Sequence, residues 1–168
     1  MEDRAVEILN AHRLMAISTL MPAGHPQTTL VGYANDGLLI YFIVSRTGQK
    51  FANIQRDQRV AIAIGHDVDD PKEIKELAIS AVASEVTDPD QRAHAIDLLL
   101  DRRPGLRKLP RPDPSKSAVM RAAPREITVS DYSQGFGHAD VVTLGPAGIV
   151  DMQPARPDDW GFGPASEG

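Results

Sequence analysis

Leu38-Leu39-Ile40-Tyr41-Phe42-Ile43-Val44 runs without a break into Ser45-Arg46-Thr47-Gly48-Gln49-Lys50, and the junction between the two decides how the chain is read. The first seven residues are continuously apolar, the pattern of a strand buried on both faces. The next six offer two hydroxyls, two cations, an amide and a glycine ahead of a short helix read near Phe51 to Asp57. Thr47 is placed to cap that helix. Backbone N–H groups at a helix start attract an anion, glycine lets a ligand approach the backbone, and Arg46 and Lys50 supply neutralising charge. Those are the requirements of a phosphate site. A solvated strand-to-helix turn has the same composition, and the G-x-x-x-x-G-K-[ST] spacing of a P-loop is absent.

Upstream, Asn35-Asp36-Gly37 signals a hairpin, because these residues tolerate positive φ. Before it lie an extended stretch from Gln27 to Ala34, a turn at Met21-Pro22-Ala23-Gly24-His25, and an alternating strand from Leu14 to Leu20. The three extended segments read as a meander. Residues 3–12 form an amphipathic helix on Ala5, Val6 and Leu9. Downstream come a strand at Val60 to Ile64, the acidic loop Asp67-Val68-Asp69-Asp70-Pro71 and a longer strand from Ile74 to Val86. Asp88-Pro89-Asp90-Gln91 then announces a helix, with Asp88 as N-cap and Pro89 at its first position. It runs to about Asp101 and turns Ala93, Ile96, Leu99 and Leu100 inward. Prolines at 104, 110, 112, 114 and 124 make residues 103–116 a loop and break the next extended stretch into Ala118 to Met120 and Ile127 to Val129. Val141 to Leu144 is a last short strand. The pattern predicts a mainly β (α+β) fold, an antiparallel barrel of six or seven strands with peripheral helices. Residues 1–150 form the domain and 151–168 a Pro/Gly-rich tail.

At 168 residues the chain makes one domain, and 42% apolar with 24% charged residues is the composition of a globular protein. Without cysteine there is no disulfide, thiolate nucleophile or cysteine-ligated cluster. The apolar runs fall far short of the roughly 20 residues that span a bilayer, and no signal-peptide pattern opens the sequence. A cytoplasmic protein without membrane contact is the expectation. The net charge of −5 is unevenly spread: residues 102–125 hold eight of the eighteen Lys and Arg against one acid, Asp113. Such asymmetry signals an anion or nucleic-acid site. Five interrupting prolines and no stacking aromatic argue against nucleic acid, leaving a rim beside a phosphate site or pairing with acidic surface across a dimer.

Several segments recur together in a known family: His12-Arg13 before a small-residue strand, Gly24-His25-Pro26-Gln27-Thr28-Thr29, Asp36-Gly37 before an apolar strand, and Ser45-Arg46-x-x-x-Lys50-x-x-Asn53-Ile54 followed by a strand at Val60. In their order and spacing they resemble the pyridoxamine 5'-phosphate oxidase-like superfamily of FMN-binding split barrels. The resemblance implies a homodimer with two flavin sites at its interface. It implies that Gln27, Thr28, Thr29 and Leu30 line the isoalloxazine ring, largely through backbone groups. It further implies that Val44, Ser45, Arg46, Gln49 and Lys50 hold the ribityl phosphate, Lys50 most firmly. Where that pattern often shows Ser-Arg-Lys this chain has Gly48-Gln49-Lys50, with Arg46 or Thr47 available to compensate. The acidic ending Asp158-Asp159-Trp160-Gly161-Phe162-Gly163 replaces the family's basic, Trp-containing segment and argues against oxidation of a vitamin B6 phosphate.

The function so implied is an FMN-dependent oxidoreductase acting on a small-molecule substrate or electron donor, with no catalytic acid or base identified. The alternatives are a non-enzymatic flavin-binding or sensing module, and a member using deazaflavin or haem. Tyr132-Ser133-Gln134-Gly135-Phe136-Gly137-His138 offers aromatics and glycines for a flat ligand, or a turn anchored in the core by Phe136. His12, His25, His66 and His94 lack metal-ligand spacing, and Asp67-x-Asp69-Asp70 lacks the glycine and glutamate of a calcium loop. No metal site is read from the sequence.

Overall fold

The computed structural model describes residues 1–156. The elements in chain order are α1 (Glu2–Ala11), β1 (Leu14–Leu20), β2 (Pro26–Gly32), β3 (Ala34–Asp36), β4 (Leu39–Ser45), α2 (Gln49–Arg56), β5 (Arg59–Ile64), β6 (Lys75–Glu85), α3 (Pro89–Arg102), β7 (Ser117–Asp131), β8 (Ala139–Gly145) and β9 (Gly148–Pro154). Period-2 alternation builds most strands. In β5, Val60, Ile62 and Ile64 are buried while Arg59, Ala61 and Ala63 face out. The strands are all antiparallel, in the order β2-β1-β5-β6-β7-β4-β3, with β8 beside the second half of β7 and β9 beside β8. Ile17, Phe42, Ile62, Ile79, Met120 and Val142 come from six different strands yet share one core with Ala5, Ile8 and Leu9 of α1 and Ile54 of α2. A sheet whose far ends contribute to one cluster must curl, and β2 and β3 make no ladder with each other. The result is a split β-barrel with peripheral helices. A second cluster, Tyr41, Val86, Ala95, Ile96 and Val119, seats α3 on the outer side of β4 and β7.

Four expectations need correction. The segments read as a meander do not form one: β1 and β2 pair, but β4 lies toward the other edge between β7 and β3. The chain leaves β2 at Tyr33, whose buried hydroxyl donates to Leu9 O at 2.8 Å and whose N–H donates to Arg13 O. That anchor carries β3 across to the opposite edge. The hairpin turn is Gly37-Leu38, one step later than read, with Gly37 at φ +57° where glycine is unstrained. The interruption at Pro124 does not occur either. β7 is continuous, and a bulge leaves Arg125 unpaired between the Glu126–Ser80 and Pro124–Ala81 pairs, so the chain absorbs one extra residue without ending the strand. The described strands number nine, since β3 and β9 were not foreseen. β9 continues through Pro154, inside the stretch assigned to the tail; Trp160 and Phe162 lie outside the described residues.

Two interactions fix the helices. Asp88 caps α3, its Oδ2 accepting from the Gln91 N–H at 2.9 Å, with Pro89 in the first turn. Asp88→Ala is expected to lower stability by about 1 kcal/mol, read as a lower urea midpoint with the slope unchanged. In α3 Ala95, not Ala93, faces inward beside Ile96. At the other end of α3, the Arg102 guanidinium donates to the carbonyls of Leu9, Asn10 and His12 and to the side chains of Asn10 and Asn35. It gathers carbonyls at and just beyond the C-terminus of α1, among them Leu9 O, which the Tyr33 hydroxyl also bonds. No helix among the described residues is long and apolar enough to cross a membrane.

Candidate functional site

Where β2 and β4 separate, residues of both strands and of the start of α2 line a groove of about 320 Å³. Gln27, Thr29, Ile43, Val44, Ser45, Gly48, Gln49 and Lys50 form its walls. Six of the nine candidate residues thus meet in one place: Gln27 and Thr29 from β2, Val44 and Ser45 from β4, Gln49 and Lys50 from α2. Ile43 and Gly48 join them without having been singled out. Gly48 is the N-cap of α2, and a Cβ there would come within 3.2 Å of Ser45 O. A side chain there would press on that carbonyl and push the turn slightly open.

The side chains of three candidates point elsewhere. Strand parity turns Thr28 and Leu30 to the outer face, where Thr28 Oγ1 meets Ser18 Oγ at 2.6 Å and Leu30 is 70% exposed. Arg46 is drawn away from the groove. Its Nε donates to Pro114 O at 2.8 Å, its Nη2 pairs with Glu85, and the guanidinium sits 5.6 Å from the centre of the Phe51 ring. Thr47 does not cap α2; its hydroxyl lies 3.1 Å from Ser45 Oγ.

Two polar groups lining the groove lack a protein partner among the described residues. Thr29 Oγ1 is buried and has no hydrogen-bond partner among the described residues. Such an atom forfeits the hydration it had in the unfolded chain. Burial pushes the Lys50 ammonium below its ordinary value, and among the described residues no carboxylate pairs with it. The first N–H groups of α2, which lack intrahelical partners, begin at the same turn. A cation, hydroxyls and free N–H groups are together the donor set for a phosphate, while Thr29 offers a hydroxyl farther along the wall.

Asn53, fully buried, holds this wall together. Its Oδ1 accepts from Gln49 Nε2 at 2.8 Å, and its Nδ2 donates to Thr19 Oγ1 at 3.0 Å and lies 3.5 Å from Gln27 Oε1. Its place four residues after Gln49 was the available signal, since i,i+4 residues share a helix face.

The remaining sequence candidates resolve simply. Phe136 is 60% exposed and stacks edge-on toward Tyr132, 5.4 Å between ring centres, so it does not anchor the turn in the core. His12 and His66 approach to 2.8 Å between ring nitrogens, His94 meets Asp36 and His138 meets Asp140. Among the described residues no group of three ligating side chains could hold a metal. Within the basic segment, Arg102 clamps α1, while Arg107 and Arg111 pair with Asp101 and Asp97 of the same chain's α3.

The family model described as Pyridoxamine 5'-phosphate oxidase matches residues 1–131. No curated protein matches the sequence. Among solved structures, a haem-binding protein from Mycobacterium smegmatis is 22% identical with a TM-score of 0.73, over 84% of this chain and 57% of its own. A pyridoxamine 5'-phosphate oxidase-related, FMN-binding protein from Nostoc punctiforme is 12% identical with a TM-score of 0.67, over 92% of this chain and 95% of its own. HutZ, a haem storage protein from Vibrio cholerae, is 18% identical with a TM-score of 0.59, over 73% of this chain and 89% of its own. At these identities the likeness is one of fold. The chain spans little more than half of the mycobacterial protein.

Proposed function

The chain belongs to the pyridoxamine 5'-phosphate oxidase family, and on that premise we propose that it binds FMN in the groove between β2 and β4 and serves as a flavin-dependent oxidoreductase. The observation that carries the reading is the pairing, in one groove, of an orphaned buried hydroxyl on Thr29 with a desolvated ammonium on Lys50. Lys50, Ser45 and the first N–H groups of α2 would hold the phosphate. Thr29 and Gln27 would border the ring, with Asn53 fixing Gln27 and Gln49. Bound flavin supplies hydride or electron transfer; the chain's residues bind, orient and exclude water around it. The acceptor or donor is a small molecule, and NAD(P)H turnover by the FMN-loaded protein separates an enzyme from a flavin-binding module.

Haem is the rival cofactor, since two similar structures carry haem in their names. Among the described residues the groove wall offers no histidine, cysteine, methionine or tyrosine as an axial ligand. Flavin is the better fit. The groove is also open on one side, and Leu30, Val150 and Met152 leave large apolar surface in water, which supports a homodimer closing over the site. Sedimentation of the purified protein tests that.

Thr29→Val tests the site. In the free protein the change removes an unsatisfied hydroxyl, so stability stays level or rises by about 1 kcal/mol. FMN affinity falls. Unchanged affinity in flavin fluorescence titrations would remove Thr29 from the site.

A further inference from the structure

Two histidines with no metal-ligand spacing in the sequence meet in the folded chain. His12 closes α1 and His66 follows the end of β5. His12 Nε2 nonetheless stands 2.8 Å from His66 Nδ1, with the ring centres 5.0 Å apart. The other ring nitrogen of His12, Nδ1, lies 2.8 Å from Ile8 O. A carbonyl only accepts, so Nδ1 carries the proton, and a neutral His12 turns the bare lone pair of Nε2 toward His66. That is the state of a metal-binding imidazole: one nitrogen is free to ligate, and the other donates to a backbone carbonyl that fixes the tautomer and the ring.

The backbone at His12 is held from several sides. Its N–H donates to Leu9 O, its carbonyl accepts from Arg102 Nη1 at 2.6 Å, and the next carbonyl, Arg13 O, accepts from the Tyr33 N–H at 3.1 Å. His66 is exposed and heads the loop that carries Asp67, Asp69 and Asp70, whose negative charge draws cations. No third ligating side chain joins the pair among the described residues, so water would complete the coordination. Imidazole and water suit a borderline divalent ion such as zinc, whereas magnesium and calcium take oxygen ligands. Two nitrogens on one tetrahedral zinc stand roughly 3.3 Å apart, so the pair need open only about 0.5 Å from its 2.8 Å.

We propose that His12 and His66 form a zinc site that fastens the end of α1 to the end of β5. The ion takes the place of the proton between the rings. His12 binds through Nε2 and His66 through Nδ1, with the His66 proton moved to its own Nε2. With two protein ligands rather than four, the site is open and its zinc exchangeable. α1 brings Ala5, Ile8 and Leu9 to the core, so an ion that binds only the folded chain stabilises the fold by mass action. The site shares no residue with the groove of Lys50 and stands whether or not that groove takes flavin.

Zinc chloride titrated calorimetrically into the whole, metal-free protein should bind at one ion per chain, with excess magnesium making no difference. His66→Ala should lower the affinity by at least the roughly tenfold that losing even an outer partner of a metal ligand costs. His12→Ala should do the same. His66→Cys supplies a thiolate and should restore binding, while His94→Ala, which removes the histidine paired with Asp36, should bind like wild type. Saturating zinc should raise the melting temperature of wild type and leave that of His66→Ala where it was. No binding at millimolar zinc, or equal binding by wild type and His66→Ala, overturns the proposal. One ion per two chains does so as well, since the histidines would then bind it between copies.

Discussion

Phe42→Ala is expected to lower the free energy of unfolding by about 3–5 kcal/mol, the cost of a buried aromatic's transfer energy plus the cavity it leaves. Phe42 is fully buried at the middle of β4, with β7 on one side and β3 on the other, and it packs in the core shared by six strands and two helices. Domains of this kind hold only about 5–15 kcal/mol in reserve, so the variant should be close to unfolding at growth temperature. Urea denaturation followed by tryptophan-independent circular dichroism reads the change as a large fall in midpoint. A loss below about 1 kcal/mol would mean that β4 is not central to the core. Ile43, Val44 and Ser45, the next residues on the strand, form part of the groove wall. The same variant should therefore also bind flavin poorly, for want of a rigid wall.

Lys50→Ala is expected to weaken FMN binding by about 1.5–3 kcal/mol, the worth of a hydrogen bond to a charged group, and to leave riboflavin affinity unchanged because riboflavin has no phosphate. The pH dependence follows from the direction of the Lys50 shift. Burial lowers its pKa from the ordinary 10.5, so the folded chain releases its proton before the unfolded chain does. Below the lowered value Lys50 is charged in both states and its burial costs stability. As pH rises from there toward 10.5 the unfolded chain binds more protons and the cost fades. FMN affinity moves the opposite way: it is highest where Lys50 is charged and declines as pH passes the lowered value. In Lys50→Ala that decline should vanish.

Much of this fold is written in local pattern. Leu14 to Leu20 alternates and is a strand over those residues; Asp88 and Pro89 announce a helix and begin one. Pairing is another matter. Nothing within β2 or β4 says that they belong to opposite ends of the sheet, because the anchor that separates them joins Tyr33 to α1 over 24 residues. Pro124 misled for a related reason: a proline lacks a ladder donor, but a bulge lets a strand pass it, and the need for that bulge comes from the register of β6. In the candidate site, the outward side chains of Thr28 and Leu30 follow from period 2 once Gln27 and Thr29 are known to face inward. The diversion of Arg46 does not, since its partner Glu85 is 39 residues away. Asn53's bond to Gln49 is legible from their i,i+4 spacing, whereas its bonds to Thr19 and Gln27 come only from packing.

Titration of the purified protein with FMN, riboflavin and haemin, followed by absorbance and flavin fluorescence, is the most direct measurement of what the groove between β2 and β4 holds. The expected result is one FMN per chain, bound more tightly than riboflavin, with the preference abolished in Lys50→Ala. Stoichiometric haemin binding with a shifted Soret band, alongside no FMN binding or an FMN affinity indifferent to Lys50 and Thr29, would contradict the assignment.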